Sequence, residues 1–331
     1  MWEEIESEQI RKVRGIKQGC PMSLFIFTLI IQEVLHQVKT KFPRLNLLEL
    51  PKKGLPVVLA FADDILVITK NIKEMEKFIK ILKEELKKVG LEMNSEKSKI
   101  LIREPKSDRN IPDNLKLDNE MYQVVKTMRY LGTYFIGTLD RPNTTRIRCR
   151  QAINNTKIVL EFMKRMKPSW HIAKLIYLTV LSPAITYGLK SAALVKRNKK
   201  SVARYELQIV SELLKLSRDR PKGRVKVSKL LNGKTAINRV RVMRLKYWAH
   251  IQRREAGHPL KIAENLEFKE KKRGRPAKTW NDTINEDKSK FNDITEVGWH
   301  NLAMNKTDFK NKVEEIYNIE GSEEESGSEI E

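Results

Sequence analysis

The sequence predicts an α+β protein in which small β-hairpins pack on helices and a mainly helical region follows. Three observations predict this class. Short apolar runs broken by turn residues, at 57–69 and 128–135, are typical of hairpin strands. Apolar residues recur at steps of three and four across 71–89, as on one face of a helix. Helical spacing then dominates 141–254.

The composition indicates an intracellular protein with a polyanionic partner. Lys and Arg number 65 against 42 Asp and Glu, a net charge of +23, and nucleic acid is the usual partner of so basic a chain. A basic soluble protein without such a partner is the alternative. The two cysteines, Cys20 and Cys149, lie far apart in the sequence. They favour a reducing compartment, nuclear or cytoplasmic, and no disulfide partner. The oligomeric state is left open.

The sequence does not indicate a membrane span, a structural zinc site or a secretory leader. The longest apolar run, “LFIFTLII” (24–31), is well short of the roughly 20 residues that a membrane span needs. The five histidines have no zinc-ligand spacing to either cysteine. The opening decapeptide is acidic, where a secretory leader would be basic. We therefore expect neither a membrane partner nor a structural zinc site.

The first elements follow in order from turn and helix signals. “RGIKQGC” (14–20) is a glycine-punctuated loop, and Pro21 suits the first turn of the helix that follows. We predict that the apolar start of this helix is buried. “VVLAFA” and “ILVIT” read as two strands, with the “DD” between them as a two-residue turn.

The next elements are a helix, strands and a loop. Gly90 predicts the end of the helix over 71–89. “LEMN” and “SKILI” read as strands, residues 103–120 as an exposed loop, and “MRYLGTYF” as a strand pair bent at Gly132.

Changes of composition divide the chain into four segments. “AGHP” and “KEKKRGRPAK” interrupt the helical pattern after residue 256, and the tail “EGSEEESGSEIE” is acidic and rich in small residues, as in disordered segments. The predicted segments are 1–140, 141–256, a basic linker with a helical segment at 257–318, and a disordered tail at 319–331.

The acids of the first hairpin are the candidate chemical site. At a tight turn both Asp63 and Asp64 can project from the same end of the hairpin. Carboxylates held this way make an oxygen-ligand platform for Mg²⁺, and paired metal ions can clamp the attacking and leaving oxygens in phosphoryl transfer. A solvated Asp-Asp turn is the alternative, and the pair alone does not decide between them.

The order of blocks around the hairpin resembles the reverse transcriptases of non-LTR (LINE-like) retrotransposons. The resemblance covers about residues 13–315 and extends beyond the polymerase palm. The blocks are “RGIKQGCPMS” (14–23), “FADD” (61–64), “GLEMNSEKSK” (90–99), “RYLGTYF” (129–135), “VLSPAITYGLKSAAL” (180–194), “RGRPAKTWND” (273–282) and “WHNLAMNKTDFKNKV” (299–313). It implies a partial palm at 1–140, a helical thumb or connection region at 141–256, and an RNA-directed DNA polymerase activity.

The resemblance also implies roles for matching residues. Asp63 would be a metal ligand for Mg²⁺ or Mn²⁺, with Asp64 beside it as a weaker ligand or one that acts from outside the direct ligand set, and Lys97 would lie near the departing pyrophosphate. An RNA template and a DNA primer would be the partners. The residues implied to position template, primer or nucleotide are Gly15, Gln18, Gly19, Pro21, Ser23, Phe61 and Gly132.

The sequence departs from the family pattern in one important respect. Polymerase palms use a third carboxylate on a strand upstream of the “RGIKQGC” loop, but no Asp precedes Asp63 here. The resemblance places this strand and the nucleotide-holding fingers upstream of Met1. We therefore expect a chain truncated at its N-terminus and inactive by itself.

Three further features bear on a second hypothesis, a non-catalytic nucleic-acid-binding protein. “KKRGRPAK” (271–278) is similar to an AT-hook, whose arginines, here Arg273 and Arg275, fit a narrow minor groove; a basic linker is the alternative. Residues 239–254 form a candidate phosphate-contacting helix, or a solvated basic face, with the side of Val242, Leu245 and Trp248 buried. Four tryptophans could stack bases, although their helical patterns favour the core: Trp170, Trp248, Trp280 and Trp299.

Overall fold

The computed structural model shows two compact units, Met1–Met128 (unit 1) and Arg129–Glu331 (unit 2). Each unit has its own hydrophobic core. The structure describes residues 15, 19–42, 56–103, 111–137, 144–219, 225–266, 278–291, 293–319 and 329–330.

Unit 1 combines helices with short strands, in agreement with the predicted α+β class. Strands β1 and β2 form an antiparallel hairpin, while the order β3–β5–β4 gives a second sheet in which β3 runs parallel to β5. The elements are α1 (Pro21–Lys41), β1 (Val58–Phe61), β2 (Asp64–Val67), α2 (Ile72–Lys88), β3 (Lys99–Ile100), β4 (Asn114–Leu117) and β5 (Glu120–Val124).

Helix α1 contradicts the prediction of a buried start. Pro21 occupies its first turn as expected, but Phe25 and Leu24 are about 60% exposed, and the buried side chains, Ile31, Val34 and Val38, belong to its second half. That half packs on α2. In the part of the chain that the structure describes, α1 is the one helix long and apolar enough to cross a membrane. Of its apolar stretch, 22% is buried within the protein.

Helix α2 confirms the predicted helix and its stop signal. The Asn71 side chain caps it by accepting a hydrogen bond from the Glu74 amide at 2.9 Å. Gly90 ends it with a φ of +71°, a conformation that costs glycine little. Phe78 and Leu82 are buried in its apolar face. Ile72 and Val89, the first and last residues of the predicted apolar face, are exposed.

The segment after α2 differs from the prediction in two places. “LEMN” is not a strand, and residues 114–124 form a hairpin, although 103–120 were predicted to be a loop. Asp118 and Asn119 make its turn with positive φ values of 47° and 65°, which Asp and Asn tolerate better than most residues. Leu117 and Tyr122 are buried against α2. Lys83 of α2 also forms ion pairs with Asp118 at 3.3 Å and Glu120 at 2.9 Å, so both apolar and charged contacts hold the hairpin on α2.

The β6–β7 hairpin, which begins at the boundary, and unit 2 confirm the predicted strand pair and helical region. The elements are β6 (Thr127–Tyr130), β7 (Thr133–Ile136), α3 (Thr144–Met166), α4 (Trp170–Ile176), a π-helical turn (Tyr177–Leu181), α5 (Ser182–Thr186), a 3₁₀ turn (Leu189–Ser191), α6 (Lys196–Leu216), β8 (Val225–Lys226), α7 (Val227–Leu230), α8 (Ala236–Gln252), α9 (Pro259–Glu264), α10 (Trp280–Lys288), α11 (Glu296–Met304), α12 (Lys306–Glu314), α13 (Ile316–Ile319) and β9 (Glu329–Ile330).

Helix α8 is the central element of unit 2. Val240 joins the core formed with α3 to α6, while Val242 and Leu245 join a second core formed with α10 to α13. Both buried clusters therefore share one helix, and this gives unit 2 a common scaffold.

The chain end returns to unit 2. Glu329–Ile330 pairs antiparallel with Val225–Lys226. These two residues belong to the segment 319–331 that we predicted to be disordered; residues 320–328 and 331 lie outside the described part of the chain.

Candidate active site

The two acids lie at the tip of the β1–β2 hairpin. The strand register pairs Phe61 with Asp64, so the two-residue turn consists of Ala62 and Asp63. The predicted hairpin is confirmed, but its turn lies one residue earlier than the predicted Asp-Asp turn. Ala62 has a φ of 50°, a left-handed conformation that is costly for a residue with a side chain. Asp64 is the first residue of the return strand.

Both carboxylates are exposed to solvent. No hydrogen bond or ion pair joins the Asp63 or Asp64 carboxylate to another described residue, so the carboxylate oxygens are available to a ligand. Adjacent hard oxygen donors suit a divalent cation such as Mg²⁺, which retains several waters and takes one or two carboxylates from a protein. No group of three or more Asp, Glu, His or Cys side chains with metal-binding geometry occurs among the described residues. The hairpin therefore fits part of a metal site.

The hairpin is positioned by the main core of unit 1. Val58, Ile65 and Val67 pack partly buried against the cluster formed by α1 and α2. Their alternation along the strands leaves Phe61, 63% exposed, beside the acids. A rigid helical base thus holds the carboxylates at an exposed tip.

The glycine loop precedes the helix that supports the hairpin. Gly15 and Gly19 have positive φ values of 94° and 85°, which favour glycine at both positions. A side chain added at either would meet open space. Pro21 starts α1 and Ser23 lies in its first turn. Gln18 lies outside the described residues.

Lys97 lies in an exposed turn of unit 1. Its amide donates to the Asn94 side chain at 2.9 Å, and the Ser98 hydroxyl donates to the Asn94 carbonyl at 2.7 Å. These bonds fix the backbone of the turn and leave the Lys97 ammonium group at the surface. No described contact brings Lys97 to the hairpin acids.

Gly132 lies in the turn of the β6–β7 hairpin. Leu131 and Gly132 both have positive φ, 44° and 75°, as in the turns that join twisted strands most closely. The Tyr187 hydroxyl donates to the Leu131 carbonyl at 3.3 Å, and the Gln151 amide donates to the Tyr134 hydroxyl at 2.8 Å. Two blocks that are distant in the sequence, “RYLGTYF” and the Tyr-Gly segment, therefore meet at this turn.

The predicted basic helix is only partly a basic surface. Its apolar side, with Val242, Leu245 and Trp248, is buried as predicted. Arg241 and Arg244, however, are also buried, at 3% and 1% exposure. Arg244 donates to Asp287 at 2.5 Å, and this carboxylate explains why the arginines turn inward. The exposed positive charge is restricted to the C-terminal end of the helix.

The tryptophans divide between core and surface. Trp248 and Trp299 are buried, as the prediction favoured, while Trp170 and Trp280 are half-buried. Arg273 and Arg275 of the AT-hook-like stretch lie outside the described residues.

Sequence reasoning missed a buried carboxylate in unit 2. Glu206 is 3% exposed; it accepts hydrogen bonds from the Tyr177 hydroxyl at 2.5 Å and the Ala236 amide at 2.7 Å. Burial raises the pKa of Glu206 to about 7, against the opposing effect of these two donors. The signal was present, because Glu206 falls at helical spacing between Val202 and Ile209 on an apolar face.

Comparison with known proteins identifies the class to which the hairpin belongs. Residues 2–135, which contain the glycine loop and the acids, match the family described as reverse transcriptase (RNA-dependent DNA polymerase).

One curated protein is similar to part of the chain. The Retrovirus-related Pol polyprotein from type-1 retrotransposable element R2 of Popillia japonica is 30% identical over 136 residues, which cover 38% of this chain. Residues 2–135 are therefore similar to reverse transcriptases, and the curated relative is the polyprotein of a retrotransposable element. The match spans 19% of the length of that relative. No solved structure matches the chain.

Proposed function

We propose that the Asp63–Asp64 hairpin supplies metal ligands for RNA-directed DNA synthesis. The observation that carries this proposal is the pair of exposed carboxylates, without a described protein partner, at the hairpin tip. Their position inside the segment that matches reverse transcriptases supports it.

The residues at and near the hairpin would have different roles. Asp63 and Asp64 would hold Mg²⁺ or Mn²⁺ through carboxylate oxygens, with Asp63 as the principal ligand. When bound, the metal ion neutralises charge on the phosphates and activates the attacking oxygen. The exposed Phe61 ring offers an apolar surface for a base or sugar next to the acids. Lys97 would interact with the departing pyrophosphate as a point charge.

The loop before α1 would position the nucleic acid. Gly15 and Gly19 leave open space where side chains would otherwise project, so a template strand can approach the backbone closely. Gln18 would donate to and accept from it, and Pro21 and Ser23 would fix the start of the supporting helix. The Gly132 turn would take the primer.

We propose that residues 1–331 alone bind nucleic acid but do not extend a primer. A two-metal site needs more oxygen ligands than Asp63 and Asp64 provide. The first 62 residues contain no Asp, and the described residues contain no three-carboxylate cluster. The net charge of +23 supports binding to RNA template and DNA primer.

Two measurements on the purified chain test these proposals. Mn²⁺ binding followed by electron paramagnetic resonance should weaken at least tenfold in Asp63→Asn, whereas Asp113→Asn, an exposed carboxylate outside the hairpin, should bind like the parent. Equal binding by both variants would remove the metal site. Primer extension on an RNA template should be absent; extension abolished by Asp63→Asn would show that the chain is active by itself.

We also propose an intracellular location, nuclear or cytoplasmic. Cys20 and Cys149 are both free thiols, which a reducing compartment preserves. Cell fractionation tests this, since recovery of the protein only from the secreted fraction would contradict it.

A further inference from the structure

Three segments of unit 2 meet at the C-terminal end of α8 and form a cationic aromatic surface. Tyr247 and His250 lie three residues apart on one side of α8, and Arg254, just beyond the end of the helix, contacts His250 with 3.2 Å between its Nη2 and the His250 Nε2. Lys190, from the 3₁₀ turn, and Trp280, from the start of α10, complete the group. We call these five residues the Tyr247 patch.

Contacts between the segments hold the patch in a fixed arrangement. The Trp280 indole N–H donates to the Lys190 carbonyl at 2.9 Å, and its ring lies edge-on to Tyr247 with centroids 6.1 Å apart. The Lys190 ammonium group lies 4.8 Å from the Tyr247 ring centre, within cation–π range. The Tyr247 and His250 rings are stacked in nearly parallel planes, at 15°, with their centroids 6.4 Å apart. The patch is thus built in advance of any ligand.

The positive charge of the patch is not neutralised within the described part of the chain. Lys190 and Arg254 are exposed, and neither forms an ion pair with a described carboxylate. The contrast is with Lys199 and Lys278, which both pair with Glu286. The pKa of His250 is lowered by burial and then by the charges of Arg254 and other cations, with no carboxylate among the causes. Cations left without acids are typical of a surface that receives an anion.

We propose that the Tyr247 patch binds single-stranded nucleic acid. Lys190 and Arg254 contact phosphates, and the exposed parts of the Tyr247 and His250 rings contact unpaired bases. Rings beside cations fit a single strand because its bases are free to stack on them, whereas the base faces of a duplex are already stacked on one another.

This site goes beyond the proposed polymerase function. It lies in unit 2, outside the segment that matches reverse transcriptases, and it needs neither metal nor nucleotide. The competing explanation is that His250 and Arg254 only neutralise the carbonyl groups at the end of α8, as cations at helix C-termini do. That explanation predicts no role in binding.

Fluorescence anisotropy of labelled strands with the full chain tests the proposal. The oligonucleotides should exceed the roughly 4–16 nucleotides that such surfaces cover. Single-stranded RNA, single-stranded DNA, an abasic strand and a duplex form the four arms. The variants are the double substitution Lys190→Ala/Arg254→Ala and the single Tyr247→Leu. Lys306→Ala removes an exposed lysine of α12, outside the patch, and is the charge control.

The double variant should bind a single strand at least tenfold more weakly. It should also lower the slope of log affinity against log salt by about 1.4, because each phosphate contact to a single strand contributes about 0.7. Tyr247→Leu should weaken binding of a base-bearing strand about tenfold and leave the abasic strand unchanged, because it removes a stacking surface. Comparing the RNA and DNA arms shows which strand the patch prefers.

Unchanged affinity in the double variant, relative to Lys306→Ala, would overturn the proposal. The proposal would also be overturned if the double variant lost affinity equally for duplex and for single strand, because the patch would then show no selectivity for unpaired bases. Lys190 and Arg254 are exposed, so we expect the double variant to keep its fold. A thermal unfolding curve followed by circular dichroism, compared with that of the parent, checks this. These results do not depend on Mn²⁺ binding or primer extension, so a failure here is distinguishable from failure of the proposed function.

Discussion

Among single residues, Glu206 has the most unusual environment. Its buried carboxyl group joins three elements, because it accepts from Tyr177 in the π-helical turn and from Ala236 at the start of α8 while lying on α6 itself. Burial favours the neutral form and raises the pKa of Glu206 to about 7 from 4.5. The unfolded chain therefore releases this proton at a lower pH than the folded protein does.

The raised pKa predicts that stability falls as the pH rises. Glu206 contributes stability that is fully present below pH 4.5 and is lost as the pH passes through about 7; the loss is about 3 kcal/mol. Glu206→Gln keeps an oxygen that accepts both hydrogen bonds and has no proton to lose, so its free energy of unfolding should change less with pH. Urea denaturation of both proteins between pH 5 and pH 8 measures the difference. Parallel pH profiles would contradict the prediction.

Among the elements, the β6–β7 hairpin depends on a contact outside itself. The Tyr187 hydroxyl reaches the Leu131 carbonyl in the turn, and Gly188, with a φ of +72°, directs the chain away immediately afterwards. A two-stranded hairpin is marginal alone, so this anchor stabilises the turn that carries Gly132.

Removing the Tyr187 hydroxyl should loosen this turn. Tyr187→Phe keeps the ring and loses the hydrogen bond to Leu131, at a cost of about 1 kcal/mol. Hydrogen exchange of amides 127–136 should accelerate, while amides of the β1–β2 hairpin exchange at the parental rate. Uniform acceleration in both hairpins would indicate a global effect and contradict the local one.

A second contact between elements joins the turn before α8 to α13. A Cβ atom on Gly233 would lie 1.6 Å from the Tyr317 carbonyl oxygen, and the φ of Gly233 is +69°. Gly233→Ala should therefore destabilise the protein by at least about 2 kcal/mol through clash and strain. Gly257→Ala is the matched control, because its Cβ would meet open space. Thermal melting of both variants tests this, and a melting temperature for Gly233→Ala equal to that of the control would refute it.

Elements were predictable where the determining residues are close in sequence. The β1–β2 hairpin and α2 follow from alternation, periodicity and caps within 57–90. The hairpin at 114–124 could not be predicted in this way, because its strands are mostly polar. Its two buried side chains, Leu117 and Tyr122, pack against α2, which is distant in the sequence. The prediction that the start of α1 is buried was wrong for a related reason. The first half of the helix is mainly apolar, but the sequence does not indicate which half of the helix packs on α2.

For the whole molecule, the main feature is that each unit has its own core. Leu82 belongs to the cluster of α1 and α2, and Leu213 to the cluster around α3 and α6. Independent cores predict separate cooperative transitions. By contrast, the Tyr247 patch could not be predicted from sequence, because Lys190 and Trp280 are neighbours only through the packing of α8.

Calorimetry should resolve two unfolding transitions. Leu82→Ala should lower the midpoint temperature of one transition, and Leu213→Ala should lower that of the other. Each substitution leaves a cavity in one core that costs about 2–5 kcal/mol. A single transition lowered by both variants would show that the units unfold together.

The pairing of β9 with β8 also matters for anyone who purifies the protein. Because Ile330 lies opposite Val225 and Glu329 opposite Lys226, the chain leaves β9 at the Val225 end of β8, away from α7, and an affinity tag at the C-terminus would continue from that end. A tag placed there adds new chain to an edge strand of two residues, and trimming by a carboxypeptidase would remove that strand altogether. Mass spectrometry of the intact C-terminus should therefore accompany every stability or binding measurement.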